Sequence, residues 1–198
     1  MTALFVTATG TDIGKTFVTA GLIRALRRAG RTVDAAKPVI SGFSMETVAV
    51  SDTGVLLNAV GRQLTAQEAE RISPWRFTAP LSPDMAAEAE NKTIDFDAVL
   101  ADSRSRIVAN PDVLLIEGVG GIMVPLDDRH TVLDWMQVLA LPVLLVAGSY
   151  LGTISHTLSA VDVLLRRGLQ IAALVVSETA ASTVGMDSTI ATLHRFVF

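Results

Sequence analysis

The chain has no cysteine among its 198 residues, which removes disulfides, thiolate metal sites and thiol nucleophiles together and points to a reducing compartment. Charge is sparse: 18% of residues are charged, against roughly 25% in an average soluble domain. Sixteen basic residues against twenty acidic give a net charge of −4, so no electrostatic footprint is expected for a nucleic acid or an anionic membrane, and the ligands should be small. Long apolar runs are also lacking. The densest, Val138 to Gly148, is interrupted by Pro142 and falls short of the roughly 20 residues needed to span a bilayer. Met1 to Gly10 has neither the basic flank nor the apolar stretch of a signal peptide. A soluble, cytoplasmic protein is expected. Hydrophobic residues, by contrast, make up 50% of the chain, enough for one domain over residues 1–198 to bury a substantial core unaided.

The hydrophobic pattern alternates between short apolar runs and helical periodicity. Leu4–Ala8 reads as a strand ending in a Gly/Thr-rich turn, followed by Val18, Leu22, Ala25 and Ala29 at helical spacing, with Gly30 as C-cap. Thr32–Val39, Asp112–Glu117, Pro142–Ala147 and Ala172–Val176 read as further strands. Asp95–Ala109 reads as a helix with Phe96, Val99, Leu100 and Ile107 inward, and Ile154–Arg167 as one with Leu158, Val161 and Leu165 inward. Apolar strands alternating with helices predict an α/β protein, a mainly parallel sheet flanked by helices on both faces, with ligands beyond the carboxyl ends of the strands. Ser41–Asp52 and the proline-bearing Ser73–Ala89 are expected as loops over the site edge.

Gly10-Thr11-Asp12-Ile13-Gly14-Lys15-Thr16 lies between the first strand and first helix, where a phosphate-binding loop must lie. Free backbone N–H groups and the positive end of the helix dipole would meet phosphate oxygens there. Lys15 would neutralise the terminal phosphates, and the Thr16 hydroxyl would bind Mg²⁺. The spacing is a variant, since Thr9 occupies the first glycine position of the usual pattern. Asp12, beside bound phosphates, suits an amine or cationic substrate. Only three of the sixteen basic residues are lysines, and two of them, Lys15 and Lys37, fall at ends of expected strands. Lys37 is either a second cation for a phosphate or carboxylate-like anion or a surface lysine at a strand end. Glu117 closes the run Val113–Ile116 and precedes Gly118-Val119-Gly120-Gly121. It is either a strand-end acid that helps hold Mg²⁺ or a solvated acid at a turn. Asp52 is a further metal ligand or a helix N-cap. Gly148-Ser149-Tyr150-Leu151-Gly152-Thr153-Ile154-Ser155 offers free N–H groups to a carboxylate, unless Thr153 or Ser155 caps that helix. His130, His156 and His194 show no metal-ligand spacing and read as structural.

Together these segments resemble the dethiobiotin synthetase family: Val6 to Thr16, Lys37-Pro38-Val39-Ile40-Ser41-Gly42, Ser51-Asp52, Phe77 to Pro83, Glu117 to Gly121 and Leu151 to His156. The resemblance implies a phosphate-loop NTPase fold and a homodimeric, ATP- and Mg²⁺-dependent cyclo-ligase of biotin synthesis. Such an enzyme closes a ureido ring from 7,8-diaminononanoate and CO₂ through a carbamate and a carbamic–phosphoric anhydride. It further implies that Thr16, Asp52 and Glu117 carry Mg²⁺, and that Lys15, Lys37 and Thr11 are catalytic. Asp12, Ile13, Gly14, Lys15, Thr16, Glu117, Gly120 and Ser177 would hold ATP. Thr11 and Ser41 would contact carbamate or phosphate, Gly118 the substrate, and Leu151, Gly152, Thr153 and Ser155 its carboxylate across the dimer interface. The chain departs from the family pattern at Ala8, where glycine is usual, at Gly10, where an acid is usual, and at Ser177, where an adenine-reading asparagine is usual. Family members generally continue past the last helix into a further strand and loop, whereas this sequence stops at Phe198.

Two other readings share the loop. Another phosphate-loop amidoligase would normally carry a glutamine-hydrolysing domain, for which 198 cysteine-free residues leave no room. A partitioning-type switch ATPase would place a signature lysine at the position of Gly10 and tends to carry a membrane-targeting tail; neither is present.

Overall fold

The computed structural model describes residues 2–109, 112–179, 182 and 184–197. Among them the elements run β1 (Thr2–Ala8), α1 (Lys15–Arg28), β2 (Val33–Ala36), β3 (Val39–Ile40), α2 (Asp52–Val60), α3 (Ala66–Ile72), β4 (Trp75–Arg76), α4 (Pro83–Ala89) and α5 (Phe96–Ala109). They continue with β5 (Val113–Glu117), α6 (Val132–Leu139), β6 (Val143–Ala147), α7 (Thr153–Arg166), β7 (Ile171–Val176) and α8 (Met186–Val197).

Five strands form one parallel sheet in the order β2-β5-β1-β6-β7. Every residue of β5 and β6 is buried, which is why these strands read as continuous apolar runs rather than alternating ones. Phe5, Ile116 and Leu145 face one core layer with Trp135 and Leu164; Val6, Leu115 and Val146 face the other with Ile23, Leu56 and Leu57. Phe5 meets Trp135 edge-to-face, ring centroids 4.9 Å apart. Each of these fully buried large side chains contributes roughly 1.5–3 kcal/mol from area removed from water. The chain leaves β1 toward β2 on one side, while β6 lies on the other, so a crevice opens beyond the carboxyl ends of β1, β5 and β6. No helix among the described residues is long and apolar enough to cross a membrane.

The expected strand Thr32–Val39 is two strands. Pro38 has no N–H to continue a ladder, and the Lys37 amide donates to Ile72 O at 3.0 Å instead of to the large sheet. The chain therefore leaves the sheet at Lys37, and β3 pairs in parallel with β4, Val39 opposite Trp75 and Ile40 opposite Arg76. Ser73–Ala89, expected as a loop, contains β4 and α4, the latter started by Pro83, whose fixed φ suits a first helical position. In α1 the buried face is Lys15, Thr19, Ala20 and Ile23, whereas Val18 and Leu22 are half-buried and Ala25 and Ala29 exposed. In α7 it is Leu164, not Leu165, that enters the core. Phe96, Val99 and Leu100 of α5 are inward as expected. Gly30, at φ +79°, follows the last residue of the α1 cap and donates to Arg27 O, which ends the helix as the sequence suggested.

Candidate active site

The loop after β1 is tied to the sheet by Thr9 N–H donating to Val146 O at 3.0 Å. It turns through Asp12 at φ +57° and Gly14 at φ +93°, and α1 starts at once. No side chain caps that helix, so its first-turn N–H groups face the crevice without an internal partner. Gly14 is required: its φ lies in the left-handed region, and a Cβ there would overlap Ser177 Oγ. Gly121 closes against the same loop, where a Cβ would stand 3.4 Å from Gly10 Cα. The result is an anion cradle with the positive end of the helix dipole behind it.

Beneath the cradle lies a buried charge cluster. Glu117 ends β5, opposite Val6 in register, and is 0% exposed; Lys37, where the chain leaves β2, is 2% exposed. Lys37 Nζ lies 2.7 Å from Asp52 Oδ2, 2.8 Å from Glu117 Oε1 and 3.3 Å from Gly118 O, so its three protons meet three acceptors. Thr16 Oγ1 donates to Glu117 Oε1 at 2.6 Å. Asp52 is the first residue of α2, but the capping oxygen belongs to Ser51, which accepts from Gly54 N–H at 3.2 Å; Asp52 is left to pair with Lys37. A 2.8 Å hydrogen bond between Thr53 and Ser73 fastens the start of α2 to the segment that also receives the Lys37 amide. Lys37 is thus no surface lysine and Glu117 no solvated acid.

These charges shift one another. Burial, then the Lys37 charge, lowers the Lys15 ammonium to about 8. Burial alone would also lower Lys37, but Glu117 and then Asp52 outweigh it and hold its pKa above the ordinary lysine value. Burial would raise the Asp52 carboxyl, yet Lys37 prevails and holds it below the ordinary range. Among the described residues no three His, Cys, Asp or Glu side chains form a metal cage. Two carboxylates and one hydroxyl converging beside an anion cradle are instead an oxygen donor set that suits Mg²⁺, an ion that completes its shell with water and phosphate oxygens.

Above the cluster opens a crevice of about 640 Å³ lined by Thr11, Asp12, Gly14, Lys15, Thr16, Lys37, Ser41, Asp52 and Gly120, closed on the far side by Pro80 to Pro83. Ser41 Oγ in this crevice and Thr9 Oγ1 in the loop after β1 are among the buried hydroxyls that find no hydrogen-bond partner among the described residues. β3 and β4 bring the Ser41 and Pro80 segments together, Gly42 N–H donating to Ala79 O at 3.1 Å. Ile13 is different: its side chain is buried in the core with Val6 and Ala8, so only its backbone is available to a ligand. Ser177 does reach the loop, packed against Gly14.

Leu151, Gly152, Thr153 and Ser155 do not line this crevice. They form the turn before α7, where Leu151 is 82% exposed and Gly152 has φ +97°. No side chain caps α7, because the Thr153 hydroxyl donates to Gly148 O at 2.7 Å and Ser155 is exposed. Of the histidines, His130 stacks on Phe96 with ring centroids 4.0 Å apart, and His156 Nδ1 lies 2.8 Å from Tyr150 OH. Sequence reasoning missed Phe17, 76% exposed at the crevice wall, and Thr19, wholly buried against Glu117. For Thr19 a signal existed, since it lies one helical turn from Lys15 on the same face.

A family profile described as an AAA domain matches residues 2–196. The ATP-dependent dethiobiotin synthetase BioD of Acidiphilium cryptum (strain JF-5) is 48% identical over 196 residues, 98% of this chain and 88% of that protein. The protein of the same name from Caulobacter vibrioides (strain NA1000 / CB15N) is 47% identical over 197 residues, 99% of this chain and 88% of its own. Among solved structures, the kinase domain of the Escherichia coli tyrosine kinase ETK superposes with a TM-score of 0.54 at 16% identity, covering 93% of this chain and 71% of that one. The Aquifex aeolicus MinC:MinD cell division complex gives 0.52 at 15% identity, covering 89% and 68%. These two establish a shared fold only; at nearly half of all positions and almost full length, the synthetases establish kinship, and the chain belongs to the dethiobiotin synthetase family.

Proposed function

We propose that this crevice carries out ATP-dependent dethiobiotin synthesis, closing a ureido ring from 7,8-diaminononanoate and CO₂. The observation that carries the reading is Lys37, buried between Asp52 and Glu117 and facing the phosphate cradle beside Lys15. An ammonium so placed can neutralise a substrate anion and a transferring phosphoryl group at once, while burial strengthens both contacts.

Chemically, one amine of the diamine adds to CO₂, giving a carbamate and releasing a proton. A carbamate oxygen then takes the γ-phosphoryl group of ATP, and ADP leaves. The second amine attacks the carbonyl carbon of the mixed anhydride, the C–O bond to phosphate breaks, and loss of a proton leaves the five-membered ring. Lys15 and the first-turn N–H groups of α1 hold the phosphates. Lys37 gives up its longest contact, that to Gly118 O, for a carbamate oxygen. The hydroxyls of Thr11 and Ser41 orient the carbamate, and Asp12 faces the amine. Thr16, Asp52 and Glu117 would hold Mg²⁺, which supplies charge neutralisation on the phosphate oxygens when bound. Ser177, against Gly14, borders the nucleoside end. In a homodimer the turn at Leu151, Gly152, Thr153 and Ser155 receives the substrate carboxylate from the partner, consistent with its uncapped helix start. Binding and orientation supply most of the catalysis.

The test is an ADP-release assay with the diamine and CO₂ supplied singly and together. Release that needs both supports the reading. Hydrolysis indifferent to the diamine, or stimulated by lipid or DNA, contradicts it.

A further inference from the structure

Resting on that reading, we propose that Thr19 is a positioning residue that orients the Glu117 carboxylate for the divalent ion of the reaction. Thr19 is 0% exposed on the buried face of α1, between Lys15 on one side and the apolar Ala20 and Ile23 on the other. A hydroxyl there costs free energy unless it is bonded. Its Oγ1 lies 2.6 Å from Glu117 Oε2 and 2.9 Å from Lys15 O. One hydroxyl has one proton. Lys15 O already accepts the helix's own N–H from residue 19, whereas Oε2 is charged, closer and buried, so the proton belongs to Glu117.

The two oxygens of Glu117 are thereby assigned different work. Oε2 is pinned back to α1, and Oε1 is turned outward to Thr16 and Lys37, at 2.6 and 2.8 Å, on the side where Asp52 converges. Among the described residues, the other side chains hydrogen-bonded to Glu117 are Thr16 and Lys37, the groups that a metal ion and substrate would themselves engage. The helix that presents Lys15 and Thr16 to phosphate from its first turn thus also orients the acid on β5 from its second. Groups that orient a metal ligand typically govern about 10–100-fold in metal affinity or activity.

The experiment compares the full-length chain with its Thr19→Val and Thr19→Ser variants. Valine keeps the shape and removes the hydroxyl; serine keeps the hydroxyl. ADP binding is measured by calorimetry in Mg²⁺ and again in EDTA, and the Mg²⁺ concentration for half-maximal ring closure is read alongside. In Thr19→Val, the Kd for ADP in Mg²⁺ and the half-maximal Mg²⁺ concentration should each rise about tenfold, with the EDTA value unchanged, and Thr19→Ser should restore both. Should the valine variant not fold, Thr19→Ala makes the same comparison. Equal loss of ADP affinity with and without Mg²⁺, no loss at all, or no rescue by serine each overturns the proposal. If the unmodified chain gains no ADP affinity from Mg²⁺, the metal reading of the crevice fails before Thr19 is at issue.

Discussion

Replacing Lys37 by methionine keeps most of the side chain's length and removes its charge, leaving Glu117 and Asp52 without the ammonium that now lies 2.8 and 2.7 Å away. Breaking a buried ion pair by deleting one partner costs about 3–5 kcal/mol. The Asp52 side chain is 43% exposed and screened by water, so the penalty falls mainly on Glu117, at 0%. That places the loss at the lower end, about 3 kcal/mol, or a fall of about 6–12 °C in Tm for a chain of this size. Urea unfolding of the ligand-free protein at neutral pH and fixed protein concentration measures it. Adding Glu117→Gln to Lys37→Met removes the stranded charge, and the double-mutant cycle should return a coupling of about 2 kcal/mol. The pH window follows from the same pair. Asp52, held below its ordinary value, contributes stability present above that value and lost as pH falls through its lower folded value. Lys37, held above its ordinary 10.5, contributes stability present below that value and lost as pH rises beyond it. Both slopes should flatten in Lys37→Met. A loss under about 0.5 kcal/mol with no coupling would mean that no buried ion pair exists in solution.

Gly14→Ala forces a side chain onto a left-handed residue and into Ser177, so stability should fall by about 1–3 kcal/mol and ADP affinity with it, read by melting and calorimetry. Ser177→Ala should not rescue it, since the backbone strain remains; full rescue would show the overlap alone to matter. Asp52→Asn should raise the Mg²⁺ concentration for half-maximal turnover by about tenfold, and an unchanged requirement would leave Asp52 only its partnership with Lys37. Because Lys15 stands at about 8 and phosphates favour its charged form, ADP binding near pH 8 should take up about half a proton. Calorimetry in two buffers of different ionisation enthalpy detects this uptake, which should vanish near pH 6; its absence at pH 8 would contradict the burial of Lys15.

The central strands were legible because burial on both faces turns them into unbroken apolar runs, as in Val113–Ile116 and Val143–Ala147. The turn that opens α1 with free N–H groups was legible from a strand, a glycine-bearing stretch and Gly14-Lys15-Thr16. Lys37 and Glu117 were found as strand ends, but whether they were buried partners or solvated charges depends on an 80-residue separation in sequence that only the fold closes. Periodicity failed where the site itself places polar groups inside: Lys15 and Thr19 share the buried face of α1 with Ala20 and Ile23, so the series through Val18 and Leu22 marks a neighbouring, half-buried face. Pro38 concealed the end of β2, because Thr32–Val39 is apolar enough to read through it. β4 and α4 were lost in a proline-rich stretch whose order comes from pairing with β3 and from Pro83 starting a helix.

In the proposed reaction the phosphoryl group of ATP passes to a carbamate built from CO₂. Single-turnover reaction with C¹⁸O₂ in unlabelled water, read before oxygen exchange with solvent, tests it directly. One ¹⁸O in the released phosphate and one in the ring carbonyl is the predicted outcome, since the oxygen that bridges carbon and phosphorus leaves with phosphate. Unlabelled phosphate formed alongside ADP would mean that water or an amine takes the phosphoryl group, and the account would be wrong.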